Sequence, residues 1–196
     1  MPPKTKFTRA QVIDAAMAVT RRSGIASVTA RAVATELGAS AKPIFGLFAN
    51  MEEVQHAVLE AANARFLRHQ AEAMAQGTYP PYKASGMAYI RFAQEEPQLF
   101  RLLFMRDRSH EPPAPDDESL EPLIALIRKN TGLSDARARM LHLETWIFVH
   151  GIASMLVTGY LPCDWSVIST TVTDVYEGIK LRLMQQQREE PEHECH

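Results

Sequence analysis

Apolar residues recur along this chain at intervals of three and four, the spacing of one helix face, and strand-like alternation is scarce. The pattern predicts an all-α protein of about nine helices. Val12, Ala15, Ala16 and Val19 mark a first helix, with Thr8 placed to cap it and Ser23-Gly24 to end it. Thr29 is placed to cap a short second helix that stops at Leu37-Gly38. Ser40 is placed to cap a third, from about Ala41 to Phe48. Pro43 is tolerated there, because N–H groups in a first turn have no helical partner. Asn50 opens a fourth helix, with Glu52 and Glu53 at the positive end of its dipole. That helix runs through Val54, Val58, Ala61 and Phe66 toward Gln76-Gly77.

Beyond the turn at 77–81 a helix reaches about Glu96, and Pro97 opens another with Leu99, Phe100, Leu103 and Phe104 on its stripe. Residues 108–118 (RSHEPPAPDDE) are polar and proline-rich and predict a loop. Helices resume near Leu120, at Ser134 and after Asp164, the last two spanning roughly 135–160 and 165–186. Residues 187–196 are charged and predict a disordered tail. The organisation expected is a head at 1–50, a body at 51–186 entered through the helix at 50–76, and the tail.

Within the head, residues 30–49 have the spacing of a helix-turn-helix that reads DNA. Val33 and Leu37 face inward, Ala34 is small where a second helix crosses, Gly38 supplies a positive φ, and Ala39, Ile44 and Leu47 complete a shared core. Charge agrees with this reading. The chain nets −2, yet residues 1–50 hold seven Lys and Arg against Asp14 and Glu36, a net of +5, leaving −7 for the remainder. A basic head suits a polyanion, and the acidic body does not need one.

Composition, 46% apolar and 22% charged, is that of an ordinary soluble protein. No apolar run approaches the ~20 residues that cross a bilayer, and no apolar leader precedes the head, so a cytoplasmic location without membrane association is expected. Cys163 and Cys195 read as unpaired thiols. His193, Glu194, Cys195 and His196 could touch a metal, but zinc sites generally need four fixed ligands, and no metal or cofactor is called for. Nucleophile–base sets, glycine-rich phosphate loops and His-Glu-x-x-His are missing, so catalysis is not expected. The adjacent carboxylates Glu95-Glu96, Asp116-Asp117 and Glu189-Glu190 read as solvated charge.

Residues 8–54 resemble the DNA-binding domain of the tetracycline-repressor family. The resemblance rests on Gly24, Thr29, Val33-Ala34, Gly38-Ala39-Ser40, the aromatics Phe45 and Phe48, and Glu52-Glu53-Val54. Three positions depart from the family pattern: Phe45 where tyrosine is usual, Gly46 where histidine is common, and Met51 where lysine is common. Fewer side chains are then available to phosphates, although helix N-termini can still bind them. In the body, YIRFAQEEPQLFRLLF and the set Trp146, His150, Gly151 resemble a subgroup carrying a Trp–His–Gly motif.

Reach and chemistry select the candidate residues. Thr29, Ser40 and Lys42 suit phosphate oxygens, and Arg31 points outward toward the backbone. Ala41, Lys42, Pro43, Phe45 and Gly46 form the expected recognition surface. Lys42 could instead donate to guanine, and Phe45 could touch a thymine methyl or belong to the core. Lys4, Lys6 and Arg9 could follow the adjacent groove. In the body, Met87, Ile90, Phe100, Phe104, Met140, Leu143, Trp146 and His150 are expected to line an apolar pocket, or to be core alone. The next-to-last helix offers two apolar faces. One is Leu143, Trp146, His150, Ala153 and Val157, and the other is Phe148, Ile152, Met155 and Leu156. With the final helix they suit a four-helix homodimer seam, as the resemblance also implies. The function expected is a transcriptional repressor that binds a palindromic double-stranded operator as a dimer and is released by a small, largely apolar inducer. A dimeric receptor of the same fold without operator binding, and an all-α enzyme or carrier, are the alternatives.

Overall fold

The computed structural model describes residues 7–107, 120–162 and 164–189. Among them are nine α-helices, one short 3-10 turn and no strand. The helices are α1 (Arg9–Ser23), α2 (Ala30–Glu36), α3 (Lys42–Phe45), α4 (Met51–Ala75), α5 (Pro81–Glu95), α6 (Pro97–Phe104), α7 (Glu121–Thr131), α8 (Asp135–Val157) and α9 (Trp165–Glu189). They pack as two compact units. The first takes its described residues from Met1–His69 and Phe92–Arg108, and the second from Gln70–Arg91 and Ser109–His196.

Local capping chemistry sets most helix starts. Thr8 accepts from the Gln11 N–H at 3.2 Å while the Gln11 side chain accepts from the Thr8 N–H at 2.9 Å, a reciprocal capping box. Thr29 accepts from the Ala32 N–H, and Ser134 from the Arg137 N–H. At α4, Asn50 accepts from the Glu53 N–H at 2.9 Å and Glu53 accepts from the Ala49 N–H at 2.7 Å.

The third helix differs from its expected form. Ser40 is exposed and caps nothing; Ala41, already helical at φ −72° and ψ −16°, precedes a helix of only four residues. Past Phe45 the chain continues as turns, the Leu47 and Phe48 N–H groups both donating to the Ile44 carbonyl. Late in the sequence, α9 runs three residues into the segment expected to be tail. There Gln187 accepts from the Ser134 N–H at 2.8 Å and donates to the Gly132 carbonyl at 3.0 Å.

In the first unit, Val12, Ala16, Val28, Val33, Ile44, Phe48, Val54 and Val58 are buried. Phe48 takes a core place, whereas Leu37, Ala39 and Leu47 are half-buried. Helix α1 packs against α2 and α6. An aromatic cluster follows: Phe66 meets the edges of Phe92 and Phe104, and Phe104 leans on Phe100. Glu96 is buried, not solvated as its charge suggested. Its carboxylate takes Arg21 of α1 and Arg65 of α4, each at 2.7 Å.

The second unit is built on α8, which packs along α7 and α9. Ile124, Ile127, Leu133, Ala138, Leu141 and Leu183 form its core. Buried on α8 are Ala138, Leu141, Thr145, Val149, Ile152, Ala153 and Val157, of which Ala153 and Val157 belong to the first face traced from the sequence and Ile152 to the second. Neither traced face coincides with the buried set, because α8 is apolar on so many sides that periodicity selects none. By length and composition α8 could also cross a membrane, contrary to the reading that no segment could. Within the second unit it packs along α7 and α9.

The α2–α3 turn shows how one glycine fixes a local fold. Gly38 has φ +62°, its N–H donates to the Thr35 carbonyl, and the Ala39 N–H donates to the Ala34 carbonyl at 2.9 Å. These are the two bonds of a Schellman motif. A Cβ at Gly38 would meet nothing within 4 Å, so substitution strains the backbone alone. Gly38→Val should therefore cost the first unit about 1–2 kcal/mol in chemical denaturation, and Gly38→Asn less. Equal stability of all three proteins would show that the turn does not need the left-handed conformation.

Candidate nucleic-acid interface and a site in the helical body

Val33, Ala34 and Ile44 turn inward from α2 and α3, so the remaining side chains of this pair stand on its outer surface. Thr29, Arg31, Ser40, Lys42, Phe45 and Gly46 are exposed, and Ala41 and Pro43 are half-buried between them. Each expected recognition residue is thus at least partly open to solvent. Thr29 uses its oxygen as the α2 cap and keeps its hydroxyl proton to donate. Among the described residues, neither Arg31 nor Lys42 has an ion-pair partner, which leaves both cations available to an anion. An open cleft beside them is lined by Arg22, Thr29, Arg31, Ala32, Thr35 and Glu36. Arg22 pairs with Glu36 at 3.0 Å across it. Arg22 and Thr35 were not singled out in the sequence, because only the folded pair shows them on the same side as Arg31.

Arg9 has a different setting from the flexible arm expected for it. It donates to the Leu47 carbonyl at 3.0 Å, pairs with Glu53 at 2.8 Å and lies 4.0 Å from the centre of the Phe48 ring. These contacts tie α1 to the segment that follows α3 and to the first turn of α4. The Glu53 carboxyl is held below its ordinary range, first by the Ala49 N–H and then by Arg9. Lys4 and Lys6 lie outside the described residues, as do the polar loop at 108–118, Cys163 and the cluster from His193 to His196.

The residues expected to line a pocket fall in both units. Phe100 and Phe104 belong to the aromatic cluster of the first. Met87, Ile90, Met140, Leu143, Trp146 and His150 belong to the second. Met87 and Ile90 are buried, whereas Met140, Leu143 and Trp146 are exposed, the first two on a stripe with Ile147.

Trp146 stacks on His150 with centroids 5.2 Å apart and planes 25° apart. His150 Nδ1 shares a 2.8 Å hydrogen bond with the Tyr89 hydroxyl. Burial lowers the His150 pKa and raises that of the Tyr89 phenol, which the Trp146 indole counteracts in part. A neutral imidazole can accept from Tyr89 at Nδ1 and present an N–H at Nε2. Trp146 is exposed, His150 half-buried and Tyr89 buried, and the indole and imidazole can take a planar apolar group. Two turns away Tyr82 repeats the arrangement with His142 at 3.1 Å, and burial lowers that imidazole too. Neither tyrosine was chosen from the sequence. The available signal was two tyrosines seven apart on α5 facing two histidines eight apart on α8.

Residues 82–174 match the family model described as tetracyclin repressor-like, C-terminal domain. No curated protein matches the chain.

Both histidines have depressed pKa values in the folded unit, so their neutral forms are favoured there. Their contribution is complete above the ordinary imidazole value of 6.5 and is lost as pH falls through it toward the depressed values. Thermal unfolding followed from pH 7.5 to 5 should show declining stability, with a smaller decline in His142→Gln. Identical pH profiles for the two proteins would remove His142 from the account.

Proposed function

With the chain a member of the tetracycline-repressor family, we propose that it is a cytoplasmic repressor that binds double-stranded operator DNA as a homodimer and leaves it when a small, largely apolar inducer binds the body. One observation carries the DNA reading. The helix pair joined at Gly38 buries Val33, Ala34 and Ile44 and leaves Thr29, Arg31, Ser40, Lys42, Phe45 and Gly46 exposed, which supports a surface open to DNA. Ser40 and Thr29 supply hydroxyls for phosphate, Arg31 and Lys42 supply charge, and Ala41, Pro43, Phe45 and Gly46 face the major groove. We assign the head to residues 1–50 and the ligand and dimer functions to 51–186.

An exposed apolar stripe supports the dimer. Met140, Leu143 and Ile147 share one side of α8, and Val167 and Leu181 are exposed on α9. Two copies joined through these helices would cover that stripe in a four-helix seam. The inducer is assigned to Trp146, His150, Met87 and Ile90, with Tyr89 fixing the imidazole. It shifts the equilibrium only if it binds the non-operator conformation more tightly than the operator-bound one. Coupling of ~1–3 kcal/mol, usual for allosteric proteins, changes operator affinity by about 5–150-fold.

Footprinting on the DNA flanking its own gene is the test. The expected footprint has two half-sites related by a twofold axis. Lys42→Ala should lower the salt slope of binding by about one ion if Lys42 meets phosphate. If it reads guanine, the loss should be about 1–3 kcal/mol confined to one base position. An asymmetric site covered by one subunit would contradict the dimer, and no footprint at all would leave a receptor without an operator.

A further inference from the structure

We propose that Phe45 sets sequence preference by packing its ring on the C5 methyl of a thymine in each operator half-site. The proposal rests on the DNA-binding reading above and specifies what its surface recognises. Phe45 is 52% exposed and is the one large apolar side chain of the head left in solvent among the described residues. Its neighbours in the same turn go the other way, Ile44 at 0% and Phe48 at 2%. A core role for Phe45 is therefore excluded by the fold of its own segment.

The chemistry around it is sparse. Exposed on α3 and its approach are Ser40, Lys42, Phe45 and Gly46. Two of these can hydrogen-bond a base edge through a side chain, and Gly46 offers no side chain at all. Phe45 has no hydroxyl to give to a phosphate. What it offers is apolar surface beside the Lys42 cation, where a negatively charged duplex would lie. In the major groove the apolar feature of a base pair is the thymine C5 methyl, and cytosine presents hydrogen at the same place.

The backbone that carries the ring is also held. Ile44 and Phe48 anchor the segment on either side, and Arg9 clamps Phe48 and the Leu47 carbonyl from α1 while pairing with Glu53. Little backbone order has to be gained on binding, so less of the methyl contact is spent on ordering the segment.

The experiment uses the full-length chain and leaves the protein intact. Duplexes selected by the chain from a random-sequence pool are resynthesised with deoxyuridine in place of each thymine in turn, which removes the methyl group and keeps the base pair. Loss of about fourfold in affinity is expected at the thymine facing Phe45, the effect of one buried methyl. In Phe45→Ala that loss should vanish, while dependence on other base pairs persists. A selected duplex indifferent to every thymine methyl, or a loss unchanged in Phe45→Ala, would overturn the assignment and leave DNA binding standing. A pool that yields no enriched sequence would overturn both this inference and the function it rests on.

Discussion

A carboxylate cannot remain charged in a protein interior without partners, and Glu96 has two. One oxygen takes Arg21 Nε from α1 and the other takes Arg65 from α4. Its backbone is equally engaged, the N–H donating to the Phe92 carbonyl and the C=O accepting from the Phe100 N–H. Glu96 is thus the joint between α5 and α6 and the point where α1 and α4 are fastened to that joint. The composition of the first unit follows from it. Residues 92–107 lie in the middle of the chain yet pack with the head, and Gln98 on the first turn of α6 sits against Gly24 at the end of α1. Anything that displaces α6 pulls on both α1 and α4 through one buried charge.

Much of this architecture was legible because the signals that produce it are local. Thr8, Thr29, Asn50 and Ser134 act on N–H groups three residues away, so the sequence alone places those helix starts. Gly38 was equally readable, since a glycine after a short amphipathic helix is the usual way to end it. Ser40 misled because the Schellman turn consumes Ala39 and the helix begins only at Lys42, with Ala41 already helical. Glu96 was illegible for the opposite reason. Its partners are 75 and 31 residues away, and a pair of adjacent glutamates gives no hint that one is buried. On α8 the difficulty was excess, because apolar residues on most sides left the Leu141–Thr145–Val149 face indistinguishable from its neighbours.

For the candidate DNA surface the sequence suggests residues, and the fold alone shows which of them pack and which stay exposed. Arg9 shows why. From sequence it is one of several head cations, but its Leu47, Phe48 and Glu53 contacts make it part of the mount for α3. Phe45 shows the converse. Its hydrophobicity allowed a core place, and only the inward turn of Ile44 and Phe48 puts its ring outside. In the body, Trp146 and His150 were readable as one helix face, whereas Tyr89 had to be brought from α5 by the fold.

The proposed function has the α2–α3 surface reading DNA sequence, with charge holding the duplex and α3 discriminating among base pairs. Its most direct test is a paired titration of the intact chain against a selected duplex and a scrambled duplex of equal length, repeated across a range of salt concentrations. Both affinities should fall linearly on logarithmic axes as phosphate contacts are screened. The selected duplex should stay tighter by about 1,000-fold or more throughout. Coincident lines for the two duplexes would contradict the claim, showing a basic head that holds nucleic acid without reading it.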